Sequence, residues 1–428
     1  MQTIRQRKVG LSAMQSEHVV IVGGGIVGLS AASFLKRKGA RVTLLERDGF
    51  ASSASTGNAG FIVLGHPPLP RPGLTSQALK MLFDPANPLY VPPRFDPALF
   101  RWLWQFRKAC NEKQFHHSME VLAEFGWIAG KAFDEIVNEA KLDCDYHRDG
   151  WLEIFETEKR FEHGRADADI LKKHGYQFDE LTGDEIRQQE PALRDNVVGA
   201  ICYKDSGWAD PGRCVAALAE HVKQQGVDIR VGAAVSRLVT SGDHAHGVEL
   251  ETGDMIEADQ VVVAAGIWSQ QLAQTVGLRV PMQAAKGYHI NLAMPDVAPT
   301  RACLLAEAFV AVNPSCQGLR LAGTLEFSGI NHNVVERRLN MLRINAARFL
   351  KGVDEAAELS TWCGLRPCTA DGLPVIGRSP RIDNVIIATG HAMLGFGLGP
   401  GTGQLIAELV ANEPPTMNLD AMSPARYA

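Results

Sequence analysis

Gly23-Gly24-Gly25-Ile26-Val27-Gly28 follows the apolar run VVIV and opens an amphipathic stretch, so a glycine loop sits between a strand and a helix. In that position G-x-G-x-x-G has a physical reading. Glycines at 23, 25 and 28 permit a tight turn, let backbone approach a pyrophosphate, and bring helix close to strand; the helix N-terminus offers free N–H groups and the positive end of its dipole. A second apolar run, RVTLLE, completes a right-handed βαβ unit from His18 to Asp48. Its strands lack polar alternation and are expected to be buried on both faces. Glu46 closes the second run 21 residues after Gly25, where a carboxylate accepts from both ribose hydroxyls of an adenosine and repels the phosphate of NADP. The small polar stretch Ser52-Ser53-Ala54-Ser55-Thr56-Gly57-Asn58-Ala59-Gly60 comes next, suited to close wrapping of a pyrophosphate or a flavin. An NAD enzyme has no evident need of it, which points toward FAD.

Length and charge leave room for this reading and exclude others. A chain of 428 residues can bury two or three domains' worth of core. With a net charge of -5 and only short basic clusters such as Lys36-Arg37-Lys38, no nucleic-acid partner is expected. Eight scattered cysteines contain no CxxC pair, so no metal site is expected and the chain reads as a reduced, cytoplasmic protein. No uninterrupted apolar run is long enough to span a bilayer. Residues 1–17 read as a disordered extension, with Met14 as an alternative start.

Proline rises sharply between Gly65 and Pro97, marking a long surface excursion. FRWLWQFRKAC then places Phe100, Leu103, Trp104 and Phe106 among cations, an amphipathic helix able to dock on the protein or on a membrane surface. Helix-like segments run to Lys141, and GWLEIFET begins a sheet. After Asp210-Pro211-Gly212 a helix, a stop at Gly226 and an apolar strand return the chain to an α/β pattern. VVVAAGIW at 261–268 reads as another buried strand ending in a small-residue turn. Short strands broken by Pro and Gly over 281–330 predict an antiparallel sheet, and a strand, a glycine-rich loop and a helix from about Gly401 close the chain.

The glycine loop with Glu46-Arg47, the SSASTGNAG stretch, FDPALFRWLWQFRKAC, GWADPGR, VVVAAGIWS, KGYHINL, GLRPCTADGLPVIG and TGHAMLGFGLGPGTGQLIAEL together resemble the D-amino acid dehydrogenase group of the FAD-dependent D-amino acid oxidase superfamily over nearly the whole chain. The resemblance implies an α/β fold: a Rossmann-like FAD-binding domain with a mostly parallel sheet, plus a substrate domain with an antiparallel sheet. We assign 18–65, 205–275 and 362–428 to the former, 66–204 and 276–361 to the latter. By position it places Val235 near the adenine half, and Ala265, Gly266 and Trp268 beside the FAD, along with Ile26, Val27, Ser55, Thr56, Asn58, Ala59 and Gly60. The loop Thr389–Gly399 precedes a helix, so its N–H groups and dipole can face the flavin C2 carbonyl, with Gly390, His391, Gly395, Phe396, Gly397 and Leu398 lining that edge.

Arg366 is the expected carboxylate anchor, because a guanidinium fork makes two parallel hydrogen bonds to a carboxylate. Tyr288 and His289 are candidates for the same pocket; strand alternation sends them to opposite faces. His391 is a third catalytic candidate. Related glycine oxidases often carry a second arginine in a GH-x-R pattern, where this chain has Met393, implying a roomier or more apolar pocket. The implied reaction is oxidative deamination of a small amino acid, a D-amino acid or a D-proline derivative, by hydride transfer to flavin N5, with electrons passed to a quinone or another carrier. Alternatives are a glycine or sarcosine oxidase-like enzyme using oxygen, and a non-catalytic FAD electron relay. Oligomeric state is not legible.

Overall fold

Strands with apolar residues at every position bury both faces only when helices cover them, and the N-terminal unit does this. A computed structural model describes residues 17–50, 54–74 and 87–428; the expected extension, apart from Glu17, and Ser52 and Ser53 lie outside the described residues. His18–Val22 and Arg41–Glu46 pair in parallel around the helix Ile26–Arg37. The sheet they start has six strands, in the order Val375–Arg378, Val385–Thr389, Gln260–Val263, His18–Val22, Arg41–Glu46 and Asp228–Val231. All neighbours are parallel except the pair formed by Val375–Arg378 and Val385–Thr389.

A second, larger sheet is mostly antiparallel, with the path Glu358–Thr369, Met282–Leu292, Gly318–Glu326, Val310–Ser315, Cys303–Leu305, Trp151–Phe155, Gly199–Tyr203 and Phe178–Thr182. The strand carrying Arg366 is its edge, so the domain boundary drawn at 362 falls inside one continuous strand. The reason is pairing: Glu358–Thr369 follows Met282–Leu292 along nearly its full length.

Two helices and a strand differ from the sequence reading. Gln260–Val263 ends before the predicted 268, because Gly266 at φ +55 turns the chain into a short 3-10 segment, Gly266–Trp268. Glu112–Ala140 is one helix of 29 residues. The C-terminal helix spans Gly395–Val410 and so begins six residues before Gly401. Glycine costs a helix about 1 kcal/mol per residue against alanine, and here packing reclaims it. A Cβ on Gly399 would come within 2.9 Å of Ile26, one on Gly401 within 2.7 Å of Ala129, and one on Gly403 within 2.5 Å of Ser30. The glycines let this helix lie against Ile26–Arg37 on one side and Glu112–Ala140 on the other.

Gly403→Ala therefore forces backbone apart where the helices meet. It is expected to cost about 1 to 3 kcal/mol, the range for overpacking, read as a fall in the urea midpoint; an unchanged midpoint would show that the helices do not touch there.

Candidate functional site

The C-terminal ends of three parallel strands converge on the glycine loop, where open α/β sheets take their ligands. Gly23, at φ +113, donates to the Leu45 carbonyl at 2.8 Å, and a Cβ there would sit 2.4 Å from the Ala264 carbonyl oxygen. A Cβ on Gly28 would lie 1.9 Å from the Gly23 oxygen, so helix, loop and strand have no room for a side chain. Glu46 takes up two backbone donors, Gly24 N–H at 2.7 Å through Oε2 and Asp48 N–H at 3.0 Å through Oε1. Ser55 Oγ accepts from Ile26 N–H at 3.0 Å and supplies the first turn with the acceptor that its N-cap Gly25 cannot. Around this end stand Val235, Ala265 and Trp268, all half-buried in one apolar cluster, with the Arg47 guanidinium 4.2 Å above the Trp268 ring. A cradle without Cβ atoms, an uncapped helix start and a carboxylate at the strand end fit a dinucleotide.

The small polar loop is bolted to the antiparallel sheet. Arg320 Nη1 donates to the carbonyls of Thr56 at 3.2 Å and Asn58 at 2.8 Å. Asn313 Nδ2 reaches the carbonyls of Ala59 and Ala209 at 2.8 and 2.9 Å. His289 Nδ1 lies 3.0 Å from the Gly57 carbonyl, which can only accept, so that nitrogen carries the proton. The His289 ring stacks on Trp362 at 5.2 Å. Burial, with Arg320 and Arg366 nearby, pushes His289 down to about 3, so it is neutral at ordinary pH. Asn58 Nδ2 donates to the Met393 carbonyl at 3.4 Å, which ties this loop to the C-terminal one. Arg320, Asn313 and Trp362 were not singled out from sequence; the available signal was a polar residue inside the apolar strands VAVNPS and GLRLAG.

Arg366 lies on the same sheet face as His289. The register pairs Ala285 with Arg366, Gly287 with Gly364 and His289 with Trp362, and the Arg366 side chain crosses Gly287, where a Cβ would meet Nη1 at 1.9 Å. Nη1 donates to the Thr324 carbonyl at 2.8 Å. Among the described residues no carboxylate lies within 4 Å of this guanidinium, and burial pulls its basicity below the usual arginine value. Thr324 holds φ +66, a left-handed conformation that a β-branched residue seldom adopts, and its buried hydroxyl has no partner.

Two expectations need correction. Tyr288 is on the far face: its hydroxyl donates to Glu326 Oε2 at 2.7 Å inside a buried group containing Lys286 and Arg338. The alternation of a strand decides this, since Tyr288 and Gly287 cannot share a face. His391 has its ring buried against the C-terminal helix, Nε2 at 2.8 Å from Thr402 Oγ1. Thr402 Oγ1 donates its own proton to the Leu398 carbonyl, so it accepts from Nε2–H. Burial pushes His391 down to about 4. It is a neutral, committed side chain, and its part is to fix the loop. That loop meets the Arg366 strand directly, through an isolated bridge between Cys368 and His391 and a bond from Ala392 N–H to the Pro367 carbonyl. The C-terminal helix then starts at Gly395, with no side-chain cap.

A family pattern described as FAD dependent oxidoreductase matches residues 18–409. A D-amino acid dehydrogenase of Methylobacterium radiotolerans is 31% identical over 418 residues, covering 96% of this chain and 100% of that protein. One from Xanthobacter autotrophicus is likewise 31% identical over 418 residues, covering 96% and 99%. Among solved structures, glycine oxidase from Geobacillus kaustophilus matches with a TM-score of 0.74 at 23% identity, covering 96% of this chain and 100% of that one. L-proline dehydrogenase from P. horikoshii matches with a TM-score of 0.73 at 18% identity, covering 96% and 97%. At these identities the structural likeness speaks for the fold, an α/β architecture with a Rossmann-like FAD domain.

The neutral histidines set a pH dependence. A base whose pKa is depressed in the fold binds fewer protons there than in the unfolded chain, so stability is lost as pH falls from the ordinary value of 6.5 toward about 4. Denaturant midpoints measured across that window should fall less steeply for His391→Gln than for the unsubstituted protein. Equal slopes would mean that the imidazole is not held neutral.

Proposed function

The chain belongs to the FAD-dependent oxidoreductase family, with FAD as its cofactor, and from that premise we propose that it oxidatively deaminates a small amino acid, of D configuration as its dehydrogenase relatives' names suggest. One observation carries the substrate reading: a guanidinium sunk in the face of a sheet, held by a carbonyl and lacking any carboxylate partner among the described residues. Arginine in that state is completed by a carboxylate from outside.

Gly23, Gly25, Ile26, Val27 and Gly28 would hold the pyrophosphate, Glu46 the ribose, and Arg47, Val235, Ala265, Gly266 and Trp268 the surrounding wall. Ser55, Thr56, Asn58, Ala59 and Gly60, with Gly390, Gly395, Phe396, Gly397 and Leu398, would border the ring system. When bound, FAD supplies the two-electron acceptor for the substrate carbon. The chain's own task is placement. Arg366 fixes the carboxylate and so the orientation of the α-carbon, and Thr324 holds Nη1 against rotation. His289, neutral and tied to Gly57, shapes the floor without taking a proton. No residue of this face is needed as a base for a substrate whose amine binds neutral. The ring-opened or cyclic C=N product meets water after release.

Pocket size favours a side chain larger than glycine's. Ala311, Ala322 and His289 are direct cross-strand neighbours on the face Arg366 occupies, and Gly287 and Gly364 flank the guanidinium. Met393 stands where a second arginine would close the site. We take a quinone or another carrier as the acceptor, reached by peripheral contact with a membrane.

The test is the visible spectrum of the flavin, followed anaerobically while D- and L-amino acids, D-proline derivatives, glycine and sarcosine are added. Bleaching by D-amino acids with side chains is the expected result; bleaching by glycine and sarcosine alone would favour an oxidase, and none by any amine would end the reading. Arg366→Ala should keep its flavin and lose about two to three orders of magnitude in kcat/KM, the worth of a paired, charge-assisted fork. Tyr288→Phe should leave KM within about twofold while lowering stability by about 1 to 2 kcal/mol, because its hydroxyl serves Glu326. A large rise in KM for that variant would return Tyr288 to the pocket.

A further inference from the structure

The helix Pro97–Ala109 is fastened on one side and unpartnered on the other. Asp96 caps it, accepting from Ala98 and Leu99 N–H, and Pro97 occupies its first turn. Its inner face buries Leu99 and Trp102, and Trp102 Nε1 donates to the Cys368 carbonyl at 2.9 Å. Its outer face carries Phe100 and Trp104, 55% and 58% exposed, four residues apart and therefore on one line. Just before the cap, Phe95 is 92% exposed with its ring 6.4 Å from Phe100. Lys108 completes the line, its ammonium 3.5 Å from the Trp104 ring.

Charge identifies what this face meets. The helix sequence PALFRWLWQFRKA contains Arg101, Arg107 and Lys108 and no acidic residue, within a chain whose net charge is -5. An acidic protein that presents aromatic rings ringed by cations at one place is built to touch an anionic, partly apolar surface there and to be repelled elsewhere. A second copy does not fit: a two-fold contact through this face would set the three cations of one chain against the same three of the other. Lysine lying over a tryptophan, with its ammonium outward, is the arrangement of an interfacial helix whose rings enter the headgroup region while the cations stay at phosphate depth.

We propose that Phe95, Phe100 and Trp104, with Arg101, Arg107 and Lys108, form a reversible docking face for an anionic lipid bilayer. Through Trp102 this face is joined to Cys368, two residues from Arg366, so docking sets the substrate strand directly behind the membrane-facing helix. Delivery of electrons to a carrier dissolved in the bilayer rests on the functional reading above; lipid binding does not.

The flavin-loaded full chain is floated with vesicles of phosphatidylcholine and phosphatidylglycerol in equal parts, and with phosphatidylcholine alone. Binding to the anionic vesicles at low salt is expected, with most of it lost in about 0.5 M salt, where screening reaches a few ångströms. Phe100→Ser with Trp104→Ser should lower the bound fraction about tenfold, and Arg101→Gln with Arg107→Gln and Lys108→Gln should remove the preference for anionic lipid. Both variants should still bleach with amino acid in solution within about twofold of the unsubstituted protein, which also reports that they fold. Failure of the unsubstituted protein to float at low salt, flotation of the variants like the parent, or a patch-dependent dimer in sedimentation would each overturn the proposal. If amino acid bleaches neither parent nor variants while vesicle binding follows the patch, the functional reading fails and the docking face stands.

Discussion

Backbone meets backbone at the glycine loop more closely than any side chain would allow, and the remaining geometry hangs from that contact. With 1.9 Å between a hypothetical Gly28 Cβ and the Gly23 oxygen, and 2.4 Å between a Gly23 Cβ and Ala264, the first helix is pressed onto the ends of His18–Val22 and Gln260–Val263. The same rule governs its other neighbour, since Gly399 and Gly403 bring the C-terminal helix against Ile26 and Ser30. Two helix N-termini, those beginning at Ile26 and Gly395, are thereby held at one end of the parallel sheet, each without a side-chain cap from its own N-cap residue. Aligned dipole ends so placed favour anionic or electron-rich groups.

The antiparallel sheet divides charge between its faces. Lys286, Glu326, Arg338 and Tyr288 satisfy one another on the far face, where an unpaired ion would cost several kcal/mol. Arg320 and Arg366 on the near face bond only to carbonyls and one amide oxygen among the described residues, and His289 between them is neutral. The near face thus keeps positive potential that the fold does not cancel. An amino acid carboxylate supplies the missing countercharge without requiring any buried group to ionise.

How much of this could be read in advance depended on whether the signal was local. The glycine loop and Glu46 are local: spacing between an apolar run and a helix suffices, and the βαβ unit is where the residues said it would be. Arg366 was visible as a chemical type within GLRP. Which neighbour shares its face was not, because the face of Tyr288 depends on pairing with Glu358–Thr369, far away in sequence. The roles of Asn313 and Arg320 were hidden for the same reason: each serves a loop more than 250 positions earlier in the chain. His391 misled because glycine-rich surroundings suggest an open loop, whereas those glycines are packed inside a helix that takes the imidazole with it.

The end of the Arg366 strand is where separate parts of the chain are joined. Cys368 accepts from Trp102 of the amphipathic helix and bridges to His391, Pro367 accepts from Ala392, and Met393 in turn accepts from Asn58 in the small polar loop. Each bond is ordinary, near 1 kcal/mol net, but they converge on one short segment from four directions. A guanidinium that is to orient a substrate carbon must be placed within a fraction of an ångström, and misplacement of one ångström costs a large factor in rate. Redundant fixing of Pro367 and Cys368 meets that need better than any single strong contact. It also explains why Ala392 keeps a left-handed φ of +48: relaxing it would move the backbone that aligns the loop with the strand.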